Sequence, residues 1–138
     1  MFSDTPDIVE VRDYFGHDLW ATEACGCEIL EAARGHAVCA FDIGPRHRNA
    51  MANVMGGAIF TLADFALAIA SNIAEEPTVS VTNTIEFIAG TRGRRLVATC
   101  DADRSGRSLG FYTTVVTDDT GVEIARMTAT CFRRPARS

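Results

Sequence analysis

The sequence predicts a single α+β domain, in which an antiparallel sheet wraps around one long central helix. The helix is indicated by residues 56–74, where apolar side chains recur at helical steps and Asp64 is the only charged residue. After Pro77 the apolar period changes to two, which is typical of strands. Because the helix is apolar nearly all round, it needs a sheet to cover most of its surface.

The other elements are placed by their periodicity and by the turn residues between them. The last four strands are expected to form a meander, and in the first of these Val79, Val81, Ile85 and Phe87 fall on one face. The whole chain, 1–138, is thus predicted as one domain. Besides the helix, its elements are a short helix over 7–15 within an N-terminal helical segment (1–24), strands over 25–33 and 36–43, and strands near 79–87, 96–102, 109–115 and 122–132.

The composition narrows the function. With 138 residues, 47% hydrophobic and 22% charged, the chain resembles an ordinary globular domain. The formal net charge of −5 argues against a nucleic-acid partner held by bulk charge. All thirteen basic residues are arginine. The absence of lysine excludes Schiff-base chemistry, pyridoxal phosphate and a P-loop nucleotide site, since each needs the ammonium group.

A membrane location is not expected. The apolar stretch 56–74 contains Thr61, Ser71 and Asn72, and alanine outweighs leucine in it, so a buried helix is favoured over a membrane span. Residues 1–6 have neither a basic region nor an apolar run, which argues against a secretory signal.

The five cysteines include one C-x-C pair, Cys25 and Cys27. No Cys/His pair at zinc-finger spacing follows it, so we expect reduced thiols, a cytoplasmic location and no metal.

Two other residues, Trp20 and His47, are expected to have structural roles. Trp20 is expected to pack over the core, and His47, between two arginines, is expected to be an exposed loop residue.

Asp64 is the strongest candidate for chemistry. A carboxylate in an uncharged helix needs a partner, a polar site or neutralisation. It is either a structural aspartate bonded to a helix end or a serine, or a general base or nucleophile acting on an acyl group. The pair Gly56-Gly57 has two interpretations as well: a tight entry into the helix, or bare amides at its positive end that hold an oxyanion.

The spacing of these residues predicts a dimer. Gly57 and Asp64 are seven residues apart, so they share a helix face but lie about 10 Å apart along the axis. One chain does not easily bring both to a single carbonyl carbon. Two antiparallel helices of a symmetric dimer place the amide of one beside the carboxylate of the other.

One stretch of the sequence is similar to a known family. Residues 49–70 read N-A-M-A-N-V-M-G-G-A-I-F-T-L-A-D-F-A-L-A-I-A and resemble the phenylacetyl-CoA-type (PaaI-like) thioesterases of the hotdog superfamily. Their motif is an asparagine, five residues, His-Gly-Gly and a helix of this kind. The resemblance continues through 79–87, the turn at 105–107 and the strand at 124–131. It implies a hotdog fold and a homodimeric or homotetrameric acyl-CoA thioesterase, which hydrolyses an acyl- or aroyl-CoA to free acid and CoA without a metal or cofactor.

The resemblance also implies roles for individual residues. Asp64 matches the catalytic carboxylate, Gly57 the oxyanion-binding amide, and Asn49 the asparagine that positions water or substrate. The substrate-binding candidates are Met55 and Gly56 at the helix start, the hydroxyls of Ser80 and Thr82 near the acyl group, and Arg104 and Arg107 for the phosphates of coenzyme A, although a solvated hairpin tip explains the two arginines equally well.

Two positions depart from the family motif. Met55 replaces the histidine, and Ala52 replaces a glycine three positions earlier. Since methionine has no hydrogen-bond donor, a second hypothesis is a non-hydrolytic acyl-CoA-binding protein of the same fold. A third is a hotdog hydratase or dehydratase, but no histidine follows Gly56 to serve it.

Overall fold

The computed structural model describes residues 2–135. One antiparallel sheet packs on the longer of two α-helices, which confirms the predicted α+β class. The elements are α1 (Ile8–Phe15), a π-helical turn (Trp20–Ala24), β1 (Glu28–Ala33), β2 (His36–Asp42), a 3₁₀ turn (Pro45–His47), α2 (Gly56–Asn72), β3 (Thr78–Phe87), β4 (Arg95–Ser105), β5 (Leu109–Asp118) and β6 (Glu123–Arg133).

The central helix α2 begins at Gly56, as predicted, and ends two residues before the predicted end. Asn72 explains the difference. Its Nδ2 donates to the carbonyl oxygen of Thr78 at 3.1 Å, and its Oδ1 accepts the Thr78 N–H at 2.9 Å. This exchange ties the helix end to the start of β3. Within the described residues, no helix is long and apolar enough to cross a membrane.

The sheet order is β1-β2-β4-β5-β6-β3. The predicted meander of the last four strands is therefore wrong in one respect, because β3 pairs with β6 at the far edge and not with β4. Residues 88–94 connect β3 to β4. They are anchored by Asp118, whose carboxylate accepts the N–H groups of Arg92 and Gly93. Within residues 2–135, the other edge of β3 has no partner strand.

The core lies between α2 and the concave face of the sheet. Small helix residues let the sheet approach closely, and large aliphatic and aromatic residues fill the remaining space. The fully buried side chains include Leu62, Ala63, Ala66, Ile69 and Ala70 of α2, together with Phe41, Leu96 and Met127 of the strands.

A β-bulge divides β3 into two halves, and the alternation of inward and outward side chains is reversed between them. The register shifts between Ser80 and Thr82, so that Val79 pairs with Phe132 while Ile85 pairs with the fully buried Met127. Directly paired residues lie on the same face of a sheet. The prediction that Val79 and Ile85 share a face is therefore wrong, because one extra residue reverses the alternation.

Candidate active site

The N-terminus of α2 presents a free backbone donor at Gly57. Met55 is the N-cap residue, and its side chain makes no capping hydrogen bond. The N–H groups of Ala58 and Ile59 donate to the Met55 carbonyl oxygen, at N–O distances of 3.1 and 3.3 Å. The Gly57 N–H has no acceptor among residues 2–135. An unpaired amide at the positive end of a helix is suited to hold negative charge on an oxygen atom.

The two glycines at this end have different surroundings. A β-carbon at Gly56 would stand 3.0 Å from Cζ of Phe87. Gly56 therefore permits close packing of an aromatic ring, which is the structural interpretation of this residue. A β-carbon at Gly57 would meet only the methyl group of Met55, at 3.8 Å. Gly57 is exposed, and the neighbouring Met55 is 42% exposed.

Asp64 is half-buried and has no hydrogen-bond or ion-pair partner within the described chain. Asp64 is therefore bonded neither to a helix end nor to a serine of the described chain, and the structural interpretation of this residue is not supported. Burial raises the pKa of Asp64 above its ordinary value, and the nearby Asp18 carboxylate raises it further. Asp64 lines a cavity of about 470 Å³ between α2 and the N-terminal segment. A carboxyl group of raised pKa in a cleft is typical of a general base or nucleophile.

Trp20 and Thr61 join this site to the N-terminal segment. The expectation that Trp20 packs over the core is wrong, since its side chain is 75% exposed and borders the Asp64 cavity. The indole Nε1–H donates to Thr61 Oγ1 at 3.3 Å, and the Thr61 hydroxyl donates to the Gly57 carbonyl oxygen at 2.8 Å. Gly57, Thr61 and Asp64 follow at steps of four and three, so they form one stripe along α2.

Asn49 organises the loop that leads to α2. Its Oδ1 accepts the N–H groups of Met51 and Asn53, at 3.0 and 3.1 Å. The carbonyl oxygen is thus occupied, and only the Nδ2–H groups are available to a ligand. In the same loop Ala52 has a φ of 64°. This left-handed conformation costs a residue with a β-carbon roughly 1 kcal/mol, which explains a glycine at this position in the family motif.

His47 is a buried structural residue, not the exposed loop residue that was expected. Its side chain is 2% exposed and stacks on Phe41 with ring centroids 4.1 Å apart. The Gly44 N–H donates to Nδ1 at 2.9 Å, and Nε2 lies 2.7 Å from the carbonyl oxygen of Cys25, to which it donates. A neutral imidazole satisfies both contacts. The Gly44-Pro45 turn three residues earlier is the sequence signal for this arrangement.

Of the two candidate hydroxyls, only Ser80 lies on the helix-facing side of the sheet. Ser80 pairs with the buried Cys131, whose pKa is raised by burial and further by the charge of Asp64. Thr82 pairs with Thr130 and lines a cavity on the opposite face of the sheet. The bulge explains the separation, because without it the two residues would share a face. The structure therefore does not bring Thr82 to the Asp64 side of its own chain.

Arg104 and Arg107 lie at the β4–β5 hairpin, and both are exposed. Strand β4 extends through Ser105, so the turn is shorter than predicted. Arg104 pairs with Phe111 and thereby lies on the outer face of the sheet. Neither arginine has an ion-pair partner among the residues described, so both guanidinium groups are available to an anion.

A buried arginine that the sequence did not single out, Arg133, holds this hairpin in place. Its Nη1 donates to Ser105 Oγ at 3.0 Å and to the carbonyl oxygen of Gly106 at 2.6 Å. Its Nη2 donates to the Tyr112 hydroxyl at 3.0 Å, and its Nε lies 3.2 Å from a carboxylate oxygen of Glu75. A signal existed in the alternation of β6, where Arg133 shares the inward face with Cys131.

Comparison with known proteins gives the family. The model of the thioesterase superfamily matches residues 51–125. A protein of Deinococcus radiodurans named as a candidate esterase is 32% identical over 117 residues, covering 84% of this chain and 80% of that protein. The acyl-coenzyme A thioesterase PaaI of Escherichia coli is 31% identical over 101 residues, covering 70% of this chain and 72% of that protein.

Solved structures agree on the fold. That of the Escherichia coli PaaI protein superposes with a TM-score of 0.81 at 22% identity, covering 94% of this chain and 98% of that one. A protein of Streptococcus pneumoniae named as a hypothetical thioesterase, solved with coenzyme A, also gives a TM-score of 0.81 at 22% identity and covers 92% of this chain and 99% of that one. At this identity the likeness shows the hotdog fold alone. Together with the family match and the sequence relatives, it shows that the chain belongs to the PaaI-like thioesterases of the thioesterase superfamily.

Proposed function

We propose that this thioesterase hydrolyses an acyl- or aroyl-CoA to the free acid and CoA at composite sites, each formed by Asp64 of one chain and Gly57 of a second copy. The observation that carries the proposal is the pairing of two unpartnered groups on one helix face. Among residues 2–135, the half-buried Asp64 carboxylate has no hydrogen-bond partner, and the N–H of the exposed Gly57 has no acceptor. Family membership favours hydrolysis over a carrier or a hydratase.

The chemistry follows from these two groups. The Gly57 N–H holds the thioester carbonyl oxygen and stabilises the oxyanion that develops on it. Asp64 either removes a proton from an attacking water or attacks the carbonyl carbon itself. The C–S bond then breaks, and the CoA thiolate takes up a proton. Attack by water gives the free acid directly, whereas attack by Asp64 leaves an acyl-Asp64 anhydride, which a water molecule hydrolyses to the free acid and the restored carboxylate. A carboxyl with a raised pKa suits proton transfer near neutral pH better than an ordinary aspartate.

The unpaired edge of β3 supports the proposed homodimer. Two β3 edges paired across a two-fold axis continue the sheet and satisfy the exposed backbone groups. Such a pairing also brings two α2 helices side by side in opposite directions, which the distance between Gly57 and Asp64 demands. For a homotetramer, the outer face of the sheet offers Val79, Phe132 and Leu109, which lie in register and are exposed.

In the proposed complex, coenzyme A is held through its phosphate groups. Arg107, with Arg104 beside it, provides exposed guanidinium groups on a hairpin that Arg133 fixes from below. The Streptococcus pneumoniae thioesterase of the same fold, solved with coenzyme A, supports a CoA ester as the substrate. Ser80 and Asn49 complete the proposed site, with Asn49 acting as a donor through Nδ2. A cytoplasmic location, where CoA esters occur, is part of the proposal.

Complementation tests the shared site. Asp64→Asn and a bulky substitution at Gly57 are each expected to inactivate the homodimer. After subunit exchange, a heterodimer keeps one intact site, so thiol release from a panel of acyl-CoAs should recover to a fraction of the wild-type rate. Verified heterodimers without activity would refute the shared site. A panel with no thiol release by the wild type would refute hydrolysis itself.

A further inference from the structure

The cavity beside Asp64 is lined by the N-terminal segment as well as by α2. Its apolar walls are Leu19 and Trp20 on one side and Phe60, Phe65 and Ala68 on the other. The volume of about 470 Å³ lies within the range of roughly 300–1,000 Å³ found for small-molecule sites. A short acyl group of several carbons fits such a space.

Two large apolar side chains at its mouth are left in solvent. Leu19 is 56% and Trp20 75% exposed. Together with the apolar cavity walls, these adjacent side chains form a continuous exposed apolar surface, and such surfaces occur at ligand-binding grooves. An apolar ligand lying in the cavity would remove both from water and gain the free energy of apolar burial.

The indole is held in a defined orientation. Its Nε1–H donates to Thr61 Oγ1, and the Trp20 carbonyl oxygen accepts the Cys25 N–H at 3.0 Å, which closes the π-helical turn. With its polar atom engaged, the ring offers an apolar face to the cavity. The hydrogen bond to Thr61 thus orients the Trp20 ring as one wall of the cavity.

We propose that the acyl group of the substrate lies in this cavity against the indole of Trp20, and that Trp20 determines the acyl length the enzyme accepts. The inference rests on the proposed function, because it takes Asp64 as the point where the thioester carbon is attacked. From that point the CoA portion must run to the charged surface, since its phosphates are solvated. The acyl portion then has the apolar cavity as its complement.

The single tryptophan of the chain allows a direct binding test. S-octyl-CoA, a thioether that cannot be hydrolysed, is titrated into the wild-type protein while Trp20 emission is recorded, and CoA alone is the control for the adenine ring. We expect a blue shift or an intensity change with S-octyl-CoA only. Binding seen by calorimetry without an emission change overturns the role of Trp20 and leaves the proposed function standing. Failure of S-octyl-CoA to bind at all overturns the inference, whereas the proposed function is refuted only if the whole acyl-CoA panel shows no thiol release.

Chain-length profiles test specificity. Trp20→Ala should raise the ratio of kcat/KM for dodecanoyl- over octanoyl-CoA by about tenfold or more, as expected when an apolar wall is removed. Trp20→Phe keeps a wall and loses only the N–H, so its profile should stay close to wild type. Ala68→Leu fills the cavity from the helix side and should shift the profile to shorter acyl groups. Unchanged profiles in folded Trp20→Ala and Ala68→Leu proteins would overturn the proposal.

Discussion

The ring of Phe87 packs against Gly56, with Cζ 3.0 Å from the point where a β-carbon would stand. At the next glycine along the chain, Gly57, a β-carbon would meet only the methyl group of Met55, at an ordinary contact distance of 3.8 Å. Two adjacent residues of one motif thus serve different ends. Gly56 is required by packing inside the chain, whereas the chain itself places no such demand on Gly57.

Substitution by alanine distinguishes the structural role of Gly56 from the proposed catalytic role of Gly57. Gly56→Ala should destabilise the protein by about 1–3 kcal/mol, because a rigid ring has to move. Gly57→Ala should leave the free energy of unfolding unchanged or slightly higher, yet lower kcat/KM by roughly 10- to 100-fold, since the new methyl group displaces the thioester oxygen from the amide. Denaturant unfolding and thiol release measure both. Full activity in Gly57→Ala would show that nothing approaches this amide.

Asp64→Asn should lower activity by at least about 100-fold and at the same time stabilise the fold at neutral pH. The folded-state pKa of Asp64 is raised by burial and then by Asp18, so the fold favours the protonated carboxyl. The stability this provides is lost as pH rises through the folded pKa, and asparagine avoids that loss. The Tm difference between variant and wild type should therefore shrink on acidification. A variant that is less stable at pH 7 would contradict an unpartnered Asp64.

Asp18→Asn should move the acidic limb of the pH profile of kcat/KM to lower pH. In the proposed mechanism the reaction needs ionised Asp64, so activity should be lost as pH falls through the pKa of this carboxyl group. Removing the negative charge of Asp18 favours the Asp64 anion and lowers that pKa, although burial remains the larger cause of the rise. High salt screens the repulsion and should narrow the gap between the two profiles. Coincident limbs at low salt would exclude Asp18 as a modulator.

The features that could be predicted from the sequence are those set by local periodicity. The central helix, the position of Asp64 on it and the stripe it shares with Gly57 all follow from steps of three and four residues. The strands themselves were also located by their alternation. Each depends on the chain within one element, where backbone geometry fixes the relation of side chains.

What the sequence did not reveal depends on contacts between distant segments. The bulge at Ser80–Thr82 and the pairing of β3 with β6 arise from tertiary packing, and a one-residue shift reverses every later side chain. His47 is buried because Phe41 and the Cys25 carbonyl group meet it in space. The orientation of the Trp20 indole depends on its hydrogen bond to Thr61, a residue 41 positions away.

Asn49→Asp should separate the structural and chemical roles of Asn49. Aspartate keeps an oxygen that accepts the N–H groups of Met51 and Asn53, but it loses the Nδ2 donors. The variant should fold with a Tm near that of the wild type and still lose activity, whereas Asn49→Ala should lose both the loop and activity. Thermal unfolding and thiol release compare the two. An Asn49→Asp enzyme as active as wild type would confine Asn49 to the loop.

Arg133→Lys should weaken binding of the CoA portion of the substrate more than the chemical step. Arg133 fixes the hairpin through Ser105 Oγ and the Gly106 carbonyl oxygen, and lysine cannot reach both together with Tyr112. A displaced hairpin moves Arg107 from the phosphates, so KM for an acyl-CoA should rise about tenfold, the equivalent of one charged contact. The matched substrate is the acyl-pantetheine thioester, which lacks the nucleotide and should show an unchanged KM. A Tm measurement records the accompanying loss of stability. An equal rise in KM for the acyl-CoA and the acyl-pantetheine thioester would mean that Arg133 supports only the fold. An unchanged KM for both substrates would show that the hairpin takes no part in CoA binding.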